Sequence, residues 1–255
     1  MTNKNKRKKQ IYNVLLVVLL LALLVVGTFI GIKVYDNLTT QQRYAEVAEQ
    51  AEIVGGEEKS GHKPMKVNFD KLRKINKDVV GYIKISKTKV NYPVVQCKDN
   101  TTYLYRTFYG NNSAHGSIFM DYRNRIEESS TNRNIILYGH NMLDGSMFGD
   151  LKKYKSKDYC KKNPLIYFNT IHSADVWEVF SAFTVPGTET NLYKPDFPDD
   201  KEYHRWFSWY MNEYRTFYTL KKSYDIDNEL LTLSTCESSF NNERFVVIAR
   251  KVTGE

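Results

Sequence analysis

Cysteine is scarce in this sequence: Cys97, Cys160 and Cys236 are all it has. An odd number rules out a fully paired disulfide framework, so at least one thiol stays free or bonds between molecules, and the sequence does not show whether Cys97 and Cys160 pair. Zinc-ligand spacings are missing, as are helix-turn-helix patterns and strands that mix basic with aromatic residues, which removes the usual grounds for nucleic-acid binding. No cluster of Asp or Glu marks a calcium site, and no metal or other cofactor is expected. Internal repeats and low-complexity runs are also missing, which excludes repeat architectures.

Charge is absent from one long stretch. From Ile11 to Ile32 the chain is apolar apart from Tyr12, Asn13 and Thr28 and carries no charged residue; about 20 such residues cross a bilayer as a helix. The run is longer than a signal-peptide core and lacks a small-x-small cleavage site, so it reads as an uncleaved anchor. Much of the formal net charge of +8 lies just before it, in Lys4, Lys6, Arg7, Lys8 and Lys9. That basic tail belongs in the cytoplasm by the positive-inside rule, which puts everything after Lys33 outside the cell. The expected organisation is a basic tail at 1–10, a single membrane span at 11–32, an extracellular and partly helical stalk at 33–66, and one domain at 67–255, long enough for a full hydrophobic core.

What is present in the domain is strand patterning. Val79–Ile85, Lys89–Val95, Gly116–Asp121, Asn134–Gly139, Leu165–Phe168, Val176–Val185, Leu231–Cys236 and Phe245–Ala249 read as strands from their apolar alternation or short apolar runs. Helices are expected at Phe69–Ile75, where apolar residues recur every three positions, and at Asn100–Phe108 with Asn100 as its N-cap. Met147, Phe148, Leu151 and Tyr154 share one helical face, and Lys201–Tyr214 carries an aromatic stripe that reads as core. Many short strands with peripheral helices point to a mainly β fold, a closed or nearly closed barrel.

Cys236 falls at a strand end, rigid yet open to loops, which suits a nucleophile that must be both held and reachable. A thiol attacks as its thiolate and needs a cationic neighbour and a proton carrier. Arg244, at the start of the next strand, stays charged and suits a developing oxyanion. His140 ends the Asn134–Gly139 strand and suits proton transfer. His115 is a rival for His140, and Arg250, deeper in the same strand as Arg244, reads as an ion-pair residue. His62, His172 and His204 read as solvated or packing residues.

Thr232-Leu233-Ser234-Thr235-Cys236 with downstream Arg244, together with Tyr138-Gly139-His140-Asn141-Met142, resembles the sortases, membrane-bound cysteine transpeptidases of Gram-positive bacteria. Tyr92-Pro93-Val94-Val95-Gln96, the run from Gly116 to Asn124, and Glu237 after the cysteine are similar to class B of that family. The resemblance implies an eight-stranded sortase-type β-barrel behind the transmembrane helix. It also implies a donor surface protein with a C-terminal sorting motif, cleaved after Thr through a thioacyl intermediate on Cys236, and a peptidoglycan or lipid-linked precursor amine as acceptor. Substrate contacts implied by local match are Asn100, Leu104, Thr188, Leu192, Tyr193, Ser234 and Glu237. Other readings stay open: a pilus-assembling transpeptidase, a secreted peptidase with water as acceptor, and a tethered binding module with a buried Cys236. The sequence names neither the sorting motif nor the acceptor amine.

Overall fold

The structure, a computed structural model, describes residues 3–55, 63–126, 132–213, 218–219, 229–238 and 242–252. Its strands are β1 (Val79–Lys84), β2 (Asn91–Val95), β3 (Ile118–Met120), β4 (Asn134–Tyr138), β5 (Leu165–Thr170), β6 (Ala174–Pro186), β7 (Tyr218–Thr219), β8 (Leu230–Ser238) and β9 (Glu243–Lys251). They pair in the order β5-β1-β2-β3-β4-β8-β9-β6-β7, and a further β5–β6 pairing closes eight of them into a barrel, leaving β7 as a short edge on β6. The β2–β3 and β4–β8 pairs are parallel. Closure pairs the backbone of each barrel strand on both sides, which removes the exposed edges an open sheet would carry.

Alternation along β8 and β9 decides what each face covers. Leu231, Leu233, Phe245, Val247 and Ala249 belong to the main core, while Leu230, Val246 and Ile248 belong to a second cluster. A strand apolar on both faces must be covered on both, and the second cover is α4 (Asp200–Glu213). Tyr203, Trp206, Phe207 and Tyr210 of that helix are buried against Phe180, Phe183 and Val185, so the aromatic stripe is core, as its spacing predicts. The described part of this helix ends one residue before Tyr214.

The other helices are α1 (Asn3–Gln50), α2 (Phe69–Ile75) and α3 (Lys157–Lys162). α2 is capped by Asn68, whose side chain accepts from the Lys71 N–H at 3.2 Å. α1 is long and apolar enough to cross a membrane, and its apolar side chains from Ile11 to Ile32 are exposed. Residues 1–43 form one compact unit and residues 44–255 another. The second therefore begins well before 67: Tyr44, Val47, Ala51 and Met65 are buried in the barrel's main core. Small and apolar residues at helical spacing in a polar segment look like a stalk until a core exists to receive them.

Asn100–Phe108 is not a helix. Only Thr102–Leu104 winds, as a 3-10 turn, because the Asp99 carboxylate accepts from the N–H groups of both Thr101 and Thr102 at 2.7 Å. Asn100 is not its cap; its side chain is directed elsewhere, as described below. The helical face expected from Met147 to Tyr154 is likewise a 3-10 segment, Gly149–Lys155. Cys97 and Cys160 are both free thiols, the first half-exposed and the second fully buried. Among the residues read as non-catalytic histidines, His62 lies outside the described residues.

Candidate active site

Three neighbouring strand termini build the site, although Cys236 is not the end of its strand as expected: β8 continues to Ser238, because its ladder with β9 extends past the cysteine. In the antiparallel β8–β9 ladder Cys236 is the register partner of Arg244, so the two backbones face each other directly. On the other side of β8, the parallel pairing matches Tyr138 with Ser234, and the ladder continues with the Gly139 N–H donating to the Ser234 carbonyl at 3.2 Å. His140 is thereby brought to the same end of the barrel as Cys236. Gly139 is required for this close approach: a Cβ there would stand 2.4 Å from the Ile118 side chain and 2.9 Å from the Phe148 ring. The side chains of Cys236 and Glu237 lie outside the described residues.

The His140 ring is half-buried, and its Nε2 is 2.7 Å from the Leu104 carbonyl oxygen. A carbonyl only accepts, so Nε2 carries a hydrogen and proton exchange falls to Nδ1. The His140 carbonyl in turn accepts from the Phe148 N–H at 2.9 Å. Both ring and backbone are therefore held. Tyr105, largely exposed, has its ring centre 6.4 Å from that of His140.

A cavity of about 330 Å³ opens here, lined by His140 and Arg244 and by Asn100, Leu104, Tyr193 and Ser234 among others. Its floor is aromatic: the Tyr138 ring lies 5.3 Å from Phe119 and 5.8 Å from Tyr193. The Tyr193 hydroxyl is 2.9 Å from Ser234 Oγ, and this pair joins the β6–α4 loop to β8.

Beneath the floor, the fully buried Asp121 carboxylate gathers the polar groups. It accepts from Arg123 Nε and Nη2 at 2.8 Å, from the Tyr138 hydroxyl at 2.9 Å and from Asn100 Nδ2 at 3.0 Å. Burial alone would raise its pKa, but the Arg123 guanidinium and backbone N–H and the Tyr138 hydroxyl outweigh this and hold it below the usual carboxylate range. Arg123 Nη2 also donates to the Tyr193 carbonyl at 2.7 Å, and Asn100 Oδ1 accepts from the Tyr122 N–H at 3.0 Å. Burial and the Asp121 charge push the Tyr138 phenol up, so it remains a donor.

Of the residues expected to touch substrate, Asn100, Leu104, Tyr193 and Ser234 line the cavity with His140 and Arg244. Two others do not. Leu192 is fully buried in the cluster under α4, because the loop turns it inward beside Val185, and Thr188 is exposed while its neighbours Gly187, Glu189 and Thr190 form the wall. His115 is buried with its Nδ1 3.2 Å from Ser113 Oγ and is not part of the lining. Arg250 pairs with Glu178 at 2.7 Å, away from the cavity. Sequence reasoning missed Phe119, Arg123, Tyr138, Glu189, Thr190 and Thr235 in the lining; Phe119, Arg123, Tyr138 and Thr235 lie inside motifs already singled out, but only the fold says which of their side chains face the cavity.

A sortase-domain family profile matches residues 83–252. Sortase B of Staphylococcus aureus is 30% identical over 246 residues, covering 96% of this chain and 98% of that protein. The crystal structure of sortase B from Bacillus anthracis superposes with a TM-score of 0.73 at 35% identity, covering 86% of this chain and 99% of that one. The Staphylococcus aureus sortase B–substrate complex gives a TM-score of 0.66 at 35% identity over 73% of this chain and 85% of that one. With a closed eight-stranded barrel and these matches across most of its length, the chain belongs to the sortase family of cysteine transpeptidases, in its class B.

Proposed function

We propose that the protein is an extracellular, membrane-anchored transpeptidase that cleaves the C-terminal sorting motif of surface proteins after Thr and joins the new acyl end to a peptidoglycan amine. The observation that carries this reading is the register of Cys236 opposite Arg244 at the end of the barrel where His140 lines the same cavity. The Cys236 thiolate attacks the threonine carbonyl, and Arg244, with the backbone N–H of Glu237, receives the charge that develops on the oxygen. His140, its Nε2–H committed to Leu104, gives a proton from Nδ1 to the departing amine and later takes one from the incoming amine. The thioacyl enzyme is the intermediate between the two steps.

Asn100, Leu104, Tyr193 and Ser234 serve as donor-peptide contacts, and a relative solved as a substrate complex supports a peptide in this cavity. The anchor at 11–32 and the basic tail before it support a cytoplasmic N-terminus with the barrel outside, close to the wall. The test is mass spectrometry of the products formed from a pool of peptides with Thr at the scissile position, with and without an added amine nucleophile. Ligated product that rises with amine concentration is expected. Hydrolysis alone, indifferent to amine, would replace this reading with a peptidase that uses water.

A further inference from the structure

Two chains of contacts run from one tyrosine, far from the site in sequence, to the two groups that hold His140. Tyr44 lies in the last turns of α1 and is buried at 6% exposure. Its hydroxyl donates to the Gly116 carbonyl at 2.8 Å and accepts from the Phe108 N–H at 3.2 Å, bracing both limbs of the 103–117 loop. That loop carries the Leu104 carbonyl on which the His140 ring rests. Gly116 packs directly on this carbonyl: a Cβ there would be 2.5 Å from the Leu104 oxygen, and its φ is +57°. The Ser117 N–H closes the loop on the Tyr103 carbonyl at 3.0 Å.

The second chain runs through the tyrosine ring. Tyr44 meets Tyr92 edge-to-face at 5.2 Å, and the Tyr92 hydroxyl accepts from the Met147 N–H at 3.2 Å. Met147 precedes Phe148, whose N–H holds the His140 carbonyl. Burial raises the Tyr44 phenol to about 12, so the donor to Gly116 persists at any working pH.

We infer that Tyr44 is a positioning residue for His140, setting the ring through the Leu104 carbonyl and the backbone through Tyr92 and Met147. This rests on the reading of His140 as the proton carrier. It makes the segment between the membrane span and the barrel part of the catalytic support rather than a spacer.

The test uses the full-length chain with Tyr44→Phe, His140→Ala and the double variant. Donor-peptide cleavage gives kcat and KM, and the rate of iodoacetamide alkylation at Cys236 is followed by peptide mass spectrometry so that Cys97 does not interfere. Tyr44→Phe should lower kcat about 5- to 50-fold, short of the roughly 100-fold that a 1 Å misplacement can cost, and leave KM within about twofold. It should slow alkylation of Cys236 in the native background and change nothing further when His140 is already Ala. Native kcat and alkylation in Tyr44→Phe would overturn the inference. So would an equal loss of alkylation rate in both backgrounds, the mark of a general structural role. Native kcat in His140→Ala would instead overturn the functional reading, and this inference with it.

Discussion

At one end of the barrel Arg123, His140 and Arg244 line a cavity of about 330 Å³ with Glu189 among them. At the other end Lys251 lies between Asp175 and Glu229 at 3.2 and 3.1 Å, beside a cavity of about 170 Å³. β8 and β9 run through both places, so the strands are the same and only the residues at their tips differ. A guanidinium and an imidazole facing an open cavity suit a charge that develops on substrate, whereas a lysine set between two carboxylates ties the end of β9 to its neighbours. The first end is where substitution should cost rate. The second is where it should cost a little stability.

The sharpest way to break this contrast is Arg244→Ala. It should lower kcat/KM by about 100- to 1,000-fold, the usual cost of losing an oxyanion donor, with Arg244→Lys recovering only part because the planar fork is lost. Steady-state cleavage of a donor peptide measures both. Unchanged kcat/KM in Arg244→Ala would place the oxyanion elsewhere.

Asp121→Asn should show both kinds of cost, since the carboxylate lies beneath the cavity floor yet is fully buried. Losing a charged acceptor of several hydrogen bonds should lower stability by about 1.5–3 kcal/mol and raise KM as Asn100 and Arg123 lose their common partner. The folded-state pKa of Asp121 is lowered, so its contribution is present above the unfolded value near about 3.9 and is lost as pH falls through the folded value. Urea unfolding of both proteins should therefore differ at neutral pH and converge in acid.

The smallest effect is expected at the far end. Burial lowers the Lys251 pKa, but Asp175 and Glu229 more than compensate and leave it raised. Because its side chain is about a third exposed, Lys251→Ala should cost no more than about 1 kcal/mol, with cleavage rates unchanged. Urea unfolding beside a kinetic assay checks this, and a rate defect would erase the difference between the ends.

Legibility followed the range of the interactions involved. β4, β8 and β9 could be read because burial on one or both faces imposes alternation or continuous apolarity within a few residues. Their ends therefore offered Cys236, His140 and Arg244 as candidates. The Asn100 turn could not be read, because the Asp99 carboxylate competes for the N–H groups a longer helix would use. Nor could the loop after β6: Thr188 and Leu192 belong to one polar stretch, and only the position of α4 turns Leu192 into the core and leaves Thr188 outside.

Taken alone, the residue order determined the anchor-like apolar run and a strand-rich, barrel-like pattern, which rest on composition or periodicity over short spans, while the three motifs carried the family resemblance. Tertiary structure alone decided that the compact unit starts at Tyr44, that Asp121 ties Asn100, Tyr138 and Arg123 together, and that the Leu104 carbonyl takes the His140 ring. Apart from Arg123 and Asp121, which are two positions apart, those contacts join residues 17 to 36 positions apart or, for Tyr44 and Gly116, 72 apart. No local pattern encodes such meetings, because they exist only once strand pairing has brought the partners together.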